Sequence, residues 1–202
     1  MPRAVDPDQR LADIAEATLR VAFKTGAGSV TIRSVARELG GSTTLVTNYL
    51  PSRAALIMNA LDRGRDRWLA ERSEAVASLP AAQRLSAVMD WSLSSSADDL
   101  VLRTLILEIV ANADVEPELR QSLIRESDEF RAFVEDTARE SGYADPRHVA
   151  DLLYVVVRGS YIALMEDDRY WTESRVQDLV RTVIDGLPRV DQAAHAVASA
   201  RP

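Results

Sequence analysis

The segment 43–49, Thr-Thr-Leu-Val-Thr-Asn-Tyr, carries the polar side chains of this sequence whose types and spacing best suit chemical recognition. In a helix, Leu45 and Val46 would face inward and the five polar residues would be left outside. Hydroxyl groups bond base edges or phosphates, and an asparagine amide can pair with the edge of an adenine. The segment therefore predicts a short helix that makes hydrogen bonds to nucleic acid.

The flanking residues predict the elements that must position this helix. An earlier helix is expected after Thr31, whose hydroxyl can cap a free backbone N–H, with Gly40 and Gly41 ending it. Ser42 is predicted to cap the recognition helix and Pro51 to end it. Ser52 then caps a third helical run. Apolar residues expected on the buried sides are Ile32, Val35, Ala36, Leu39, Leu56 and Ile57.

This helix-turn-helix pattern resembles the N-terminal domain of the TetR family of transcriptional repressors. The resemblance covers Gln9 to Leu56 and includes the Ala36-x-x-x-Gly40 motif and the tail Tyr49-Leu50-Pro51-Ser52-Arg53. A preceding helix also matches, with an apolar stripe formed by Leu11, Ile14, Ala15, Thr18, Leu19, Ala22 and Phe23. The chain departs from the family pattern at Gly41, Thr44, Thr47, Leu50 and Arg53. Threonine at 47 replaces a tyrosine that usually contacts phosphate, which leaves that contact to Tyr49.

The resemblance implies a DNA-binding domain at residues 1–52 and a helical ligand-binding and dimerisation domain at 53–202. The side chains expected at the DNA are Thr31, Arg33, Ser42, Thr43, Thr44, Thr47, Asn48, Tyr49 and Arg53. Thr43, Thr44, Thr47 and Asn48 are expected in the major groove. Thr31, Ser42, Tyr49 and Arg53 are expected on phosphates.

The charge distribution is compatible with this expectation although the chain is acidic. The 202 residues carry a net charge of −7, but residues 1–56 hold seven basic and five acidic groups, which leaves −9 for the rest. Because the net negative charge lies outside the predicted DNA-binding domain, local basic side chains and helix N-termini can still meet phosphates.

After Leu56 the sequence predicts helices throughout, which makes an all-α fold of about nine helices with an Ala-rich, frayed tail from Pro188. Two C-terminal helices carry a surplus of apolar residues, which either complete the core or form a dimer interface. The resemblance favours a homodimer that pairs through a four-helix bundle. The predicted interface residues are Val155, Gly159, Ile162, Val176, Leu179, Val180, Val183 and Ile184.

A small-molecule effector site is the remaining expectation for the helical body. Thr104, Glu108 and Asn112 recur every four residues and form a polar stripe on an apolar helix, with Trp68 and Trp91 as further lining candidates. Glu108 would anchor a cationic or hydroxylated effector. The alternatives are that the stripe faces water or pairs with an arginine, and that both tryptophans belong to the core.

No catalytic, cofactor or metal site is expected. The sequence has no cysteine, and His148 and His195 lack metal-ligand spacing, so both are expected in solvent. No secretory signal is visible, and Arg158 interrupts the apolar run Leu152–Val157 before it reaches the roughly 18 residues of a membrane span, so a cytoplasmic protein is expected. The alternative function is an all-helical small-molecule-binding protein or small helical enzyme, which would show no salt-sensitive DNA affinity.

Overall fold

Helices account for nearly all the regular structure of the protein in a computed structural model. The structure describes residues 6–94, 97–111 and 117–190. The side chains of residues 72, 75 and 97–99 are not described. Over those ranges there are nine α-helices, as the sequence predicts, and one short 3₁₀ turn at Ala27–Ser29. The helices are α1 Pro7–Thr25, α2 Ile32–Glu38, α3 Thr43–Thr47, α4 Arg53–Ala77, α5 Ala81–Leu93, α6 Ala97–Ala111, α7 Pro117–Glu140, α8 Pro146–Glu166 and α9 Glu173–Asp185.

The chain forms two compact units. The first unit is Met1–Leu69 with Ser95–Arg125, and the second unit is Ala70–Ser94 with Glu126–Pro202. The first unit therefore contains α1 to α3, α4 as far as Leu69, and α6. The predicted functional division between residues 52 and 53 concerns which residues bind DNA, and it stays a prediction.

The core of the first unit gathers apolar residues of the helix-turn-helix segment with residues of α1, α4 and α6. Val35, Ala36, Val46, Leu56 and Ile57 are buried there, as predicted, and Ile32 and Leu39 pack against them. Phe23 is predicted on the apolar stripe of α1 that contains Ile14, but its side chain is 72% exposed. It lies nine residues after the buried Ile14, which at about 100° per residue places it on the opposite side of α1.

The second unit has its own core, formed mainly by α5, α7, α8 and α9. Leu85, Val88 and Met89 point inward from α5, and Val134 does so from α7. The hydroxyl of Thr172 caps α9, and the carboxylate of Asp145 caps α8 ahead of Pro146 at its first turn, as the sequence predicts.

The residues after α9 are bonded to the α7–α8 turn rather than frayed from Pro188 onward. The amide of Ala144 donates to the carbonyl of Pro188 at 3.0 Å, and the amide of Val190 donates to the carbonyl of Gly142 at 3.0 Å. The prediction of a frayed tail is wrong for residues 188–190, and its remainder lies outside the described residues.

Helix α8 is long and apolar enough, by length and composition alone, to cross a membrane, despite Arg158 within it. The same test is passed by core helices of proteins that never enter a membrane. Val149, Leu153 and Val157 on this helix are buried in the second-unit core, whereas Val155, Ile162 and Met165 are exposed.

Candidate nucleic-acid interface and regulatory residues

The start of α2 is held by a reciprocal pair of hydrogen bonds between Thr31 and Ser34. The Ser34 amide donates to Thr31 Oγ1 at 3.0 Å, and the Thr31 amide donates to Ser34 Oγ at 2.9 Å. Ser34 Oγ also donates to the carbonyl of Ser29 at 2.9 Å. This capping box satisfies two backbone donors and fixes the chain's entry into the motif. Thr31 is therefore a cap, as predicted, and its exposed side chain lies at the helix start.

The turn between α2 and α3 depends on two glycines. Gly40 has a φ of +67°, in the left-handed region that side chains with a Cβ seldom adopt. A Cβ added at Gly41 would lie 3.1 Å from Leu45 Cδ1, tighter than an ordinary contact. At Gly41, where the resembled family usually has valine, a larger side chain would therefore require Leu45 to shift by a few tenths of an ångström.

Helix α3 buries one side and exposes its polar residues. Val46 is fully buried, whereas Thr43, Thr44, Thr47 and Asn48 are all exposed. The helix ends at Thr47, two residues earlier than predicted. Asn48 occupies the C-cap position and Tyr49 follows, half-buried against the first-unit core.

Ser42 occupies the N-cap position of α3 but does not cap it with its side chain. No capping hydrogen bond is made by its hydroxyl, contrary to the prediction, and the residue is exposed. Its Oγ therefore lies at the start of α3 and makes no capping hydrogen bond to the helix. That position suits the phosphate contact expected of it.

Arg53 is engaged inside the first unit rather than presented to solvent. Its Nε donates to the carbonyl of Val30 at 3.0 Å, one Nη donates to the carbonyl of Ala27 at 3.4 Å, and the same Nη forms an ion pair with Glu108 of α6. The phosphate contact expected of Arg53 stays a prediction, and within the first unit its guanidinium joins the α1–α2 connection and α6 to the start of α4.

Other basic groups of the first unit are neutralised on its surface. Lys24 Nζ donates to Glu38 Oε1 at 2.8 Å and Arg20 Nε donates to the same oxygen at 3.0 Å, which joins α1 to α2. The hydrogen bond from Lys24 lowers the pKa of Glu38, and the hydrogen bond from Arg20 lowers it further. Arg33, by contrast, is an exposed residue of α2 outside this network.

Two of the predicted effector residues, Glu108 and Thr104, have hydrogen-bond partners within the first unit. Glu108 pairs with Arg53, which is the arginine alternative, and the Thr104 hydroxyl donates to the Leu100 carbonyl of its own helix at 2.8 Å. Asn112 lies outside the described residues. Trp68, in the first unit, is partly buried, and Trp91 belongs to the second unit, where its Nε1 donates to Glu71 Oε2 at 3.4 Å.

The predicted dimer residues separate into exposed and buried groups. Val155, Gly159, Ile162 and Leu179 are exposed, and Val183 is half-buried. Val176, Val180 and Ile184 are instead buried in the second-unit core, so their side chains are already covered within the chain. Those three assignments are corrected, because the inner face of α9 packs on its own unit.

One exposed apolar residue of the same surface was missed by the sequence reasoning. Met165 is 55% exposed and lies three residues after Ile162 on α8, which places the two on one face. Helical spacing from Ile162 was the signal that could have found it. We call Val155, Ile162, Met165 and Leu179 the apolar face of α8 and α9.

Of the two histidines, the structure describes His148, and it belongs to no group of described residues that could hold a metal ion. His148 is exposed, with its amide donating to Asp145 Oδ1 at 3.0 Å, and His195 lies outside the described residues. Within the described part of the chain, no three histidine or acidic side chains come together in a way that could hold a metal ion.

The fold and the exposed α3 define a helix-turn-helix protein of the kind that regulates transcription. Residues 81–189, more than half of the chain, match the C-terminal domain of BetI-type transcriptional repressors. The chain therefore belongs to the TetR family of transcriptional regulators. No curated protein matches it.

Solved structures of transcriptional regulators share the fold across nearly the whole chain. A TetR regulator from Haloarcula marismortui is 19% identical, with a TM-score of 0.80 over 89% of this chain and 98% of that one. A putative regulator from Pseudomonas aeruginosa PAO1 is 22% identical, with a TM-score of 0.72 over 91% and 92%. A putative regulator from Saccharomonospora viridis, in complex with choline, is 18% identical, with a TM-score of 0.77 over 89% and 97%.

Proposed function

We propose that this chain is a homodimeric repressor that binds a near-palindromic DNA operator and is released from it by a small molecule. The observation that carries this proposal is the short helix α3, which rests on the buried Val46 and exposes Thr43, Thr44, Thr47 and Asn48. A helix anchored on one side and polar on the other is what major-groove reading requires.

The DNA-binding residues divide by chemistry. Thr43, Thr44, Thr47 and Asn48 read base edges, with Asn48 able to pair with adenine through two hydrogen bonds. Thr31, Arg33, Ser42 and Tyr49 contact phosphates and set the register of the domain on the duplex. Residues 1–52 form the DNA-binding domain, and residues 53–202 hold the dimer and effector functions.

The dimer forms through the apolar face of α8 and α9. Val155, Ile162, Met165 and Leu179 are each about half exposed or more, which is costly for large apolar side chains unless another surface covers them. A two-fold axis through this face would present two DNA-binding domains to successive major grooves, roughly 34–36 Å apart. A near-palindromic operator follows from that symmetry.

We propose that the effector is a small organic cation. Glu71 and Trp91 meet in the second unit, and a carboxylate beside an indole is the chemistry that recognises cations. Choline is the first candidate to test, since it is bound in the structure of the S. viridis regulator. Like other regulators that act on chromosomal DNA, the protein would work in the cytoplasm.

The proposal is tested by selecting genomic fragments with the purified full chain at low salt and sequencing what is retained. We expect enrichment of one near-palindromic sequence whose affinity falls steeply as salt is raised. A double variant, Thr47→Ala with Asn48→Ala, serves as the control and should lose the enrichment while keeping its fold. Retention of no fragment by the folded wild-type chain would favour the helical ligand-binding protein or enzyme instead.

A further inference from the structure

Some basic side chains in and next to the DNA-binding domain form ion pairs with acidic residues of the same chain, and others do not. Arg20 and Lys24 pair with Glu38, Arg10 lies 3.8 Å from Asp13, and Arg53, the first residue after the domain, pairs with Glu108. These four cations already have anionic partners, so a contact with a phosphate would stabilise them less than it would an unpaired cation.

Arg33 and Arg37 are the contrasting pair. Both are exposed residues of α2, and neither makes an ion pair or side-chain hydrogen bond with any other described residue. Two unneutralised cations four residues apart repel each other and weaken a helix. In a chain with a net charge of −7, leaving these two without a carboxylate partner points to an anion outside the molecule.

The geometry of α2 places both arginines away from α1. At about 100° per residue, Arg33 and Arg37 lie roughly 40° apart around the helix, and Glu38 lies roughly 100–140° from them. Glu38 faces α1, where Arg20 and Lys24 bond it. The two arginines therefore lie on a different side of α2 from the carboxylate that bonds α1, and both are exposed.

We infer that Arg37, which no DNA-binding assignment above includes, forms with Arg33 a two-cation clamp on the phosphate backbone of DNA. This inference rests on the proposed function and deepens it, because it names the groups that supply the sequence-independent part of binding. The clamp lies on the helix that precedes α3, so it holds the backbone beside the groove that α3 enters. Arg37 carries no sequence specificity in this role.

The test measures the salt dependence of binding to a fluorescent duplex of mixed sequence, using the full chain. Each phosphate contact contributes about 0.9 to the slope of log affinity against log salt, so Arg37→Gln should reduce that slope by about one. The matched control is Lys24→Gln, which removes the same charge from the same domain while Arg20 still pairs with Glu38. We expect the slope of the control to stay at the wild-type value.

The outcomes separate this inference from the proposed function. If wild-type protein binds no DNA even at low salt, the proposed function fails and the clamp with it. If wild-type protein binds and Arg37→Gln keeps the wild-type slope, or if both variants lower the slope equally, only the clamp is overturned. Arg37→Lys keeps the charge and should restore the slope, which distinguishes a lost phosphate contact from a damaged fold.

Discussion

The guanidinium of Arg53, the first residue of α4, forms an ion pair with the Glu108 carboxylate of α6 and also bonds the carbonyl of Val30 just before α2. One side chain thus joins three segments that are far apart in sequence. Both partners are mostly buried, with side-chain exposures of 26% and 21%, so water screens their attraction less than it does at the surface. A shift of α6 would therefore act directly on the start of the helix-turn-helix.

The first prediction concerns this pair. Glu108→Gln should lower the free energy of unfolding by about 1–3 kcal/mol, because Arg53 is left partly buried without its anion. Denaturant unfolding followed by circular dichroism measures the change. The control is Glu16→Gln, which removes an exposed carboxylate 3.4 Å from Arg20 and should change stability by less than about 0.5 kcal/mol. Equal effects of the two substitutions would contradict a supporting role for the pair.

The second prediction concerns base reading by α3. Asn48→Ala should cost about 1–3 kcal/mol of binding free energy at the selected operator and change which bases are preferred, because a bidentate contact is lost. Sequencing of DNA selected by the wild type and by the variant compares the two preferences. Gln121→Ala, at an exposed position of α7, is the control and should leave the preference unchanged. An Asn48→Ala variant that selects the wild-type site at wild-type affinity would remove Asn48 from the reading set.

The third prediction concerns the apolar face of α8 and α9. Leu179→Arg should give monomers with little operator affinity, because the new charge would be buried without a partner at the two-fold interface. Sedimentation velocity gives the mass of the particle. Ile124→Arg places the same charge at a residue of similar exposure on α7 and should leave the dimer intact. Dimers of unchanged mass for Leu179→Arg would place the interface elsewhere.

The fourth prediction is that the effector and operator DNA weaken each other's binding by the same factor. If choline favours the released form 100-fold, which is about 2.7 kcal/mol of coupling, operator DNA must weaken choline binding 100-fold. Titration of tryptophan fluorescence with choline, with and without operator, measures both affinities, and mixed-sequence DNA at the same concentration is the control. Equal choline affinity in the presence and absence of operator would exclude it as the inducer.

The fifth prediction concerns the contacts that follow α9. Arg189 donates to the carbonyl of Ser141 at 2.8 Å and to the Tyr143 hydroxyl at 3.1 Å, and its guanidinium lies 4.4 Å from the Tyr143 ring. Arg189→Ala should lower stability by about 1–3 kcal/mol, measured by thermal unfolding. Arg169→Ala removes a side chain that is 92% exposed and should have almost no effect. Matching melting temperatures for the wild type and Arg189→Ala would show that the contacts do not stabilise the second unit.

The helical class, most helix boundaries and the exposed side of α3 could be predicted from the amino-acid sequence. These features depend on local rules: glycines at 40 and 41 stop a helix, Ser and Thr cap one, and apolar residues three and four apart share a face. Thr31, Asn48 and the buried Val46 could therefore be placed correctly without any knowledge of their distant neighbours.

Which polar and apolar side chains contact partners within the chain could not be predicted, because it depends on how the helices pack. Arg53 and Glu108 are 55 residues apart, so no local pattern shows that each neutralises the other. The broad apolar stripe of α9 likewise does not reveal that Val176, Val180 and Ile184 face its own core while Leu179 faces outward. Helical periodicity identifies a stripe, but the neighbouring helices decide which part of it they cover.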